Sequence, residues 1–219
     1  MYLEIKNFQK IISSNVILND INIQMDQGRI YGFKGKNGSG KTMLMRAICG
    51  LILPTKGKII VNGETLHKDI SFPRSIGALI ESPGFIANYS GFKNLQTLAN
   101  IKQTINTEDI HEILSKLGLD PNDRKKFKKY SLGMKQKLGI AAAIMENPDI
   151  IVLDEPLNAL DENSVLTVKN LLIEHKKRGA LIIISCHDRE ELEFLSDEIF
   201  SLENGEIADA YQVQHTEEN

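Results

Sequence analysis

One glycine-rich stretch constrains the fold of this chain more than any other. Residues 35–42 have the spacing G-x-x-x-x-G-K-S/T of a phosphate-binding loop, between an apolar strand at 29–33 and a helix at 43–49. Glycines let consecutive N–H groups turn around a phosphate chain, Lys41 can reach the β- and γ-phosphates, and Thr42 can bind Mg²⁺. A flexible linker does not fit between two such apolar elements, so the sequence predicts a bound nucleoside triphosphate. The residues predicted to contact it are Gly35, Lys36, Asn37, Gly38, Ser39, Gly40, Lys41, Thr42 and Met43.

Composition narrows the class of protein. The chain has 219 residues, enough for one large core with an inserted lobe, and its net charge of -3 gives no reason to expect a nucleic-acid partner. The longest apolar runs, such as 180–184, are too short to insert into a bilayer. Two cysteines, Cys49 and Cys186, suit a reducing cytoplasm, and neither has a metal-binding spacing. We therefore expect a cytoplasmic chain.

Hydrophobic patterns predict a single α/β domain. The N-terminal residues alternate like antiparallel strands, whereas 150–153 and 181–184 are continuous β-branched runs, typical of parallel strands buried on both faces. Between them, apolar residues such as Leu95, Leu98 and Ile101 recur at helical spacing, and Asn-Gly pairs at 62–63 and 204–205 predict a tight turn and a hairpin. The sequence predicts a mostly parallel sheet, an N-terminal antiparallel β region and an inserted helical subdomain. The predicted boundaries are a core formed by 1–84 and 147–219, and a helical subdomain at 85–146.

Polar residues that follow the buried strands are the candidates for catalysis. The strand at 150–153 ends in Asp154 and Glu155, and the strand at 181–185 is followed closely by His187. The carboxyl ends of such strands form the ligand-binding edge of open α/β sheets. Asp154 is expected to hold Mg²⁺, Glu155 to activate the attacking water, and His187 to contact the γ-phosphate or that water. A solvated Asp-Glu pair and a surface histidine are the alternatives.

A third motif makes the chain similar to a known family. Ser131 is a good N-cap residue that starts a helix, so the helix offers free N–H groups to an anion. With the other motifs, this stretch resembles the ATP-binding subunit of an ATP-binding-cassette (ABC) transporter along nearly the whole chain. The matching segments are the Walker A loop at 35–42, the signature at 130–136, the Walker B strand with its catalytic glutamate at 150–155, the D-loop at 159–161 and the switch histidine His187.

The resemblance implies a mechanism that needs two subunits and ATP with Mg²⁺. In this family two cassettes, here expected to be identical, pair head to tail, and each ATP lies between the Walker A loop of one and the signature of the other. Ser131, Gly133 and Gln136 would then contact ATP bound to the partner, and Asp161 would cross the interface. Closure and opening would drive separately encoded integral membrane subunits, contacted mainly by the helical subdomain at 85–146. The chain would thus lie at the cytoplasmic face of the membrane.

Glu81 departs from the family pattern, which usually has glutamine at this position. The resemblance implies that Glu81 contacts both Mg²⁺ and the attacking water. Its setting at 77–81 and the signature at 130–136 resemble exporters that protect bacteria from bacitracin or lantibiotics. The sequence therefore predicts an exporter, possible cargoes being antimicrobial peptides or drugs.

The adenine site differs from the family as well. Ile12 occupies the position of the usual stacking aromatic and would cover the base by van der Waals contact, unless Phe8 or Tyr2 substitutes for the aromatic. Lys36 replaces a common proline and adds positive charge beside the phosphates.

Two other functions remain open from the sequence. A soluble ABC ATPase acting in translation or DNA maintenance usually carries two cassettes or a long coiled coil, and this chain has one cassette and no heptad stretch. A nucleotide-binding regulator without catalysis would not need Lys41, Asp154, Glu155 and His187 together. Both hypotheses rank below a transport ATPase.

Overall fold

The N-terminal part of the chain forms an antiparallel sheet, as the alternation predicted. The structure is a computed structural model that describes residues 1–214, so the last residues of the predicted core segment, 215–219, lie outside it. Four strands build this sheet: β1 (Leu3–Ile12), β2 (Asn15–Met25), β4 (Lys56–Val61) and β5 (Glu64–Thr65). Their order is β2-β1-β4-β5, and the Asn-Gly turn predicted after β4 connects it to β5.

A second sheet carries the ligand-binding edge. Its strands are β3 (Ile30–Lys34), β6 (Ile76–Leu79), β7 (Ile150–Leu153), β8 (Leu181–Ser185), β9 (Glu198–Glu203) and β10 (Glu206–Gln212). They lie in the order β10-β9-β3-β8-β7-β6, and all pairs are parallel except the β9–β10 hairpin. This confirms the mostly parallel sheet and the hairpin predicted around Asn204.

Six α-helices lie within residues 1–214. They are α1 (Lys41–Ile48), α2 (Gly91–Lys102), α3 (Thr107–Lys116), α4 (Leu132–Ile144), α5 (Glu162–Lys177) and α6 (Arg189–Leu195), with a one-turn 3-10 helix at Phe127–Lys129. Their starts follow ordinary capping chemistry. Asn106 and Asp109 form a capping box at α3, and Ser131 and Asp161 cap α4 and α5 through their side chains.

The centre of the parallel sheet positions the site. Every residue of β7 and β8 is buried, as expected for strands covered on both faces. Strand β3 lies between β8 and β9, so the loop that follows Lys34 emerges beside the end of β8, and β7 lies next to β8. The residues that follow these strands therefore meet at one edge, as the sequence predicted.

Helices α2, α3 and α4 fall between β6 and β7 in the chain, within the segment predicted as the helical subdomain. The packing differs from prediction in α2, where Leu95 is buried but Leu98 and Ile101 are 38% and 77% exposed, so that the apolar face instead runs through Ala99. Helix α4 packs tightly on β6. A Cβ at Gly77 would lie 1.7 Å from the carbonyl oxygen of Ala143, so only glycine permits this approach.

Among residues 1–214, no helix is both long enough and apolar enough to cross a membrane.

Candidate functional site

The glycine-rich loop joins the end of β3 to the start of α1. Gly35, Gly38 and Gly40 all have positive φ values, of 151°, 81° and 110°. The position of Gly35 is also crowded, because a Cβ there would lie 2.4 Å from the carbonyl oxygen of Leu202. The loop thus turns in a way that side chains would prevent, which leaves backbone N–H groups free to face a phosphate chain.

Lys41 occupies the centre of this loop. Its Nζ donates hydrogen bonds to the carbonyl oxygens of Gly35 at 2.6 Å and Lys36 at 3.3 Å, and the residue is only 7% exposed. A buried ammonium held by the loop's own carbonyls stays inside the turn. A phosphate chain that entered the loop would meet this cation directly.

Thr42 and Asp154 come together as the sequence predicted for a Mg²⁺ site. The Thr42 hydroxyl donates to Oδ2 of Asp154 at 2.7 Å. A hydroxyl next to a carboxylate is the hard oxygen set that Mg²⁺ prefers, and Mg²⁺ bound with nucleotide takes its remaining ligands from phosphates and water. Residues 1–214 contain no cluster of three or more His, Cys, Asp or Glu side chains suited to a metal. The residues therefore fit Mg²⁺ that arrives with a nucleotide.

Ser185 belongs to the site although the sequence did not indicate it. This fully buried residue ends β8, and its hydroxyl donates to Oδ1 of Asp154 at 2.6 Å. The Oγ of Ser185 also accepts a hydrogen bond from the backbone N–H of Glu155 at 3.0 Å. A lone hydroxyl in an otherwise apolar strand was the only signal in the sequence.

Glu155 and His187 meet as expected. Nε2 of His187 lies 3.2 Å from Oε1 of Glu155, so the two side chains share the end of the sheet. Burial raises the pKa of the Glu155 carboxyl, while the positive charges of His187 and Lys41 oppose that rise. A carboxylate whose pKa is raised is a better proton acceptor than an exposed one.

The signature stretch lies against its own D-loop. The Ser131 hydroxyl caps α4 by accepting from the N–H of Met134 at 3.2 Å, and both Ser131 and Leu132 are exposed. A Cβ at Gly133 would lie 2.8 Å from the carbonyl oxygen of Ala159, so the helix start touches the D-loop directly. Asp161 caps α5, where hydrogen bonds from Ser164 lower its pKa.

Gln136 forms a hydrogen bond within its own subunit. Its Nε2 donates to the carbonyl oxygen of Glu155 at 3.0 Å, and its contact with ATP bound to a second subunit stays a prediction. The side chain faces inward because α4 turns it toward the end of β7. The side-chain amide of Gln136 is thus hydrogen-bonded within its own subunit.

The Glu81 side chain forms an ion pair with helix α1. Its Oε2 is 2.8 Å from Nη2 of Arg46, which lies one turn along α1 from Thr42. Glu81 also has a positive φ of 59°, so its backbone is strained. In this structure the carboxylate pairs with α1, and contact with Mg²⁺ stays a prediction.

The adenine-site alternatives are partly wrong. Phe8 is fully buried in the core and cannot stack on a base, and Tyr2 stands at the opposite end of β1 from Ile12. Ile12 itself is exposed, as is Val16, which the sequence analysis did not single out. Both flank the β1–β2 turn, and Leu18 of the same hairpin packs against Gly40. An exposed aliphatic pair therefore lies at the turn end of the β1–β2 hairpin, whose second strand borders the loop.

A cavity of 730 Å³ adjoins the outer side of the loop. It is lined by loop residues such as Lys36 and Asn37, by His187 and by the β9–β10 hairpin. It does not include Lys41, Thr42 or Asp154 among its walls. The chemistry is thus at the sheet edge, and the cavity is the open space beside it.

Comparison with known proteins gives this geometry a family. The model of the ABC transporter family matches residues 18–158, which include the glycine-rich loop, the signature and the Asp154–Glu155 pair. The chain belongs to the ABC transporter family. It is an ATP-binding subunit.

Three relatives agree with this assignment. The uncharacterized ABC transporter ATP-binding protein YybJ of Bacillus subtilis is 46% identical, over 96% of this chain and 97% of its own length. The bacitracin transport ATP-binding protein BcrA of Enterococcus faecalis is 36% identical, over 96% of this chain and 69% of its own length. The lantibiotic transport ATP-binding protein SrtF of Streptococcus pyogenes is 35% identical, over 94% of this chain and 88% of its own length. The resemblance to the bacitracin and lantibiotic type is confirmed.

A solved structure confirms the ABC ATPase fold. The dimeric, post-hydrolysis ATP-binding cassette MJ0796, bound to ADP and Pi, superposes with a TM-score of 0.87 over 98% of this chain and all of that one, at 21% identity. The family assignment, together with relatives named as transport ATP-binding proteins, makes the subunit an ATPase coupled to transport.

Proposed function

We propose that this ABC subunit works as a dimer that closes on Mg²⁺·ATP and opens after hydrolysis, and that it drives an exporter of antimicrobial peptides. The proposed dimer rests on one observation about the signature. The exposed signature start is held to its own D-loop at Ala159, and within residues 1–214 no hydrogen bond joins Ser131 or Gly133 to residues 35–42. A signature whose start is exposed and is not hydrogen-bonded to its own loop within residues 1–214 can complete the site of a second copy. The dimeric form of the cassette MJ0796 supports this arrangement.

The hydrolytic step follows from the residues at the sheet edge. Lys41 neutralises charge on the β- and γ-phosphates. Thr42 and Asp154 would hold Mg²⁺, which would supply further charge stabilisation to the transferred phosphoryl group. Glu155 accepts a proton from the attacking water, and its raised pKa favours that transfer. His187, 3.2 Å from Glu155, fixes the direction of the carboxylate.

An exposed apolar patch supports a membrane partner. Leu51, Leu53 and Phe72 are all more than half exposed, and the Phe72 ring lies against Gly50 at the end of α1. The charged Arg46 of the same helix pairs with Glu81. Contiguous exposed apolar residues mark interaction sites, and we assign this patch to separately encoded integral membrane subunits, which would hold the protein at the inner face of the cell membrane.

The cargo class rests on the relatives. BcrA and SrtF are named for transport of bacitracin and of a lantibiotic, both peptide antibiotics. We assign the same class of cargo, and an outward direction, to the transporter that this subunit serves. The named relatives are transport proteins, which favours this function over a soluble ATPase of translation or DNA maintenance.

The dimer and its catalysis are tested together by Glu155→Gln. With the carboxylate replaced, ATP should bind but not be hydrolysed, so the variant should form a stable dimer in Mg²⁺·ATP by light scattering. Glu112→Gln, on the exposed face of α3, is the matched control and should hydrolyse ATP and return to monomer like the wild type. A Glu155→Gln protein that stays monomeric in ATP, or that hydrolyses at the wild-type rate, would refute the mechanism. Turnover by the wild type excludes a regulator without catalysis.

Transport is tested in cells. The subunit should co-purify from membranes with a multi-span protein, and deletion of its gene should increase sensitivity to bacitracin or a lantibiotic. Leu53→Glu should abolish co-purification but leave the ATPase activity of the isolated subunit unchanged, because Leu53 is exposed and outside the site. Co-purification with ribosomes or DNA instead would favour the soluble alternative.

A further inference from the structure

The peptide of Glu155 is held in an unusual conformation. Its φ of 52° lies in the left-handed region, which side chains other than glycine adopt at a conformational cost. Such a backbone persists only where neighbouring groups hold it. The conformation matters because it determines where the Glu155 carboxylate points at the end of β7.

Two side chains from different elements hold this peptide at both ends. Ser185 of β8 accepts the Glu155 N–H at 3.0 Å, and Gln136 of α4 donates to the Glu155 carbonyl oxygen at 3.0 Å. Because a carbonyl only accepts hydrogen bonds, the amide nitrogen of Gln136 must face it. The backbone of the catalytic glutamate is therefore fixed from the sheet on one side and from the signature helix on the other.

We propose that Gln136 is a positioning residue that aims Glu155 of its own subunit, and that it links the signature to hydrolysis in the same chain. Gln136 lies on the helix that Ser131 caps, so a displacement of that helix start moves the donor that holds Glu155. Gly133 touches Ala159 of the D-loop, which follows Glu155 in the chain, so a second contact couples the same two segments.

The inference rests on the proposed dimer and assigns one residue a role within it. When the signature of this subunit engages ATP bound to the other copy, α4 is drawn toward that ATP, and Gln136 carries the movement to the Glu155 of its own site. Binding of ATP at one site would then change the position of the catalytic glutamate at the other site. Gln136 itself makes no contact with nucleotide in this scheme, since its amide N–H is used inside the chain.

The test separates positioning from nucleotide binding. Gln136→Leu removes the donor while it keeps a side chain of similar size, and Gln136→Glu keeps the shape but replaces the donor with an acceptor. We expect kcat for ATP to fall at least 10-fold in both, with the half-saturating ATP concentration within error of the wild type and the melting temperature lowered by only about 1–6 °C, as the loss of one hydrogen bond requires. Gln96→Leu, which removes a partly buried glutamine of α2, is the matched control and should keep full activity.

A second readout does not depend on turnover. In a Glu155→Gln background, Gln136→Leu should still form the ATP-dependent dimer at the same ATP concentration, because the signature contacts are intact. Loss of that dimer would mean that Gln136 binds nucleotide across the interface, and wild-type kcat in Gln136→Leu would mean that it positions nothing. Either result overturns the inference. Failure of the Glu155→Gln single variant to dimerise refutes the proposed function itself, so the two failures are distinguishable.

Discussion

The hydroxyl of Ser185 is the point at which the site can be perturbed most cleanly. Ser185→Ala removes one oxygen from a fully buried position and breaks two hydrogen bonds at once. The bond to Oδ1 of Asp154, 2.6 Å long, involves a charged acceptor and contributes about 1.5–3 kcal/mol. The bond from the Glu155 N–H at 3.0 Å contributes about 0.5–1.5 kcal/mol.

These two bonds share one oxygen, so we expect their loss to lower the free energy of unfolding by about 2–4 kcal/mol. For a domain of this size, each kcal/mol shifts the melting temperature by about 2–4 °C, which gives a fall of roughly 4–16 °C. Urea unfolding followed by circular dichroism measures the first quantity, and a thermal scan the second. Hydrolysis should fall as well, because both Asp154 and Glu155 lose a partner.

Ser201→Ala is the matched control for this experiment. Ser201 is a buried serine on β9, which β3 separates from β8 in the same sheet, and its hydroxyl has no hydrogen-bond partner among residues 1–214. Its removal should change the free energy of unfolding by less than about 0.5 kcal/mol. The argument fails if Ser185→Ala destabilises the protein no more than Ser201→Ala does.

Three further predictions concern pH and close packing. The pKa of Glu155 is raised above 4.5, so its ionised form destabilises the fold near neutral pH. Glu155→Gln should therefore raise the melting temperature near neutral pH, and this increase should disappear as the pH falls to 4.5. Burial lowers the pKa of His175 from 6.5 to about 4, so the unfolded state binds a proton first and wild-type stability falls from pH 6.5 towards pH 4. In urea titrations His175→Gln should flatten that fall, which cannot exceed about 3 kcal/mol; an unchanged slope would show that His175 is protonated in the fold. Gly133→Ala places a Cβ 2.8 Å from the Ala159 carbonyl and should lower ATPase kcat at least 10-fold, whereas Gly84→Ala, in open space, should not.

The elements of the fold could be predicted because their patterns are strong. Continuous β-branched runs gave β7 and β8, and the Asn-Gly pair gave the β4–β5 turn. The apolar face of α2 was less certain, because Leu98 and Ile101 have the spacing of a buried face without being buried. Spacing shows which residues share a side of a helix, but the neighbouring elements decide how much of that side is covered.

Much of the site also followed from strand ends. Residues that end adjacent parallel strands meet at one edge, which brings Thr42 to Asp154 and His187 to Glu155. Ser185 was missed because its only sequence signal, a hydroxyl at the end of an apolar strand, is also found in serines that merely end a strand. The bond from Gln136 to the Glu155 backbone could not be predicted, because a motif specifies residue types but not which of its side chains turn inward.

The pairing of Glu81 with Arg46 lies beyond sequence reasoning for a different reason. Arg46 follows Thr42 by four residues, so the pitch of α1 places both on one face. That the chain after β6 returns to this face depends on the register of β6 with β7, where Leu79 pairs with Leu153. No pattern local to either residue reports that register.

The position of β3 in the sheet sets the order in which a newly made chain can acquire its nucleotide site. Both neighbours of this strand, β8 and β9, are made roughly 150 residues after it, and pairings of such high sequence separation form slowly. Until they arrive, β3 has no partner in its own sheet, and the loop at Gly35 lacks the Leu202 carbonyl against which it packs. Nascent chains that end before β9 should therefore be unable to retain ATP on the ribosome, so that nucleotide binding requires synthesis to have passed β9.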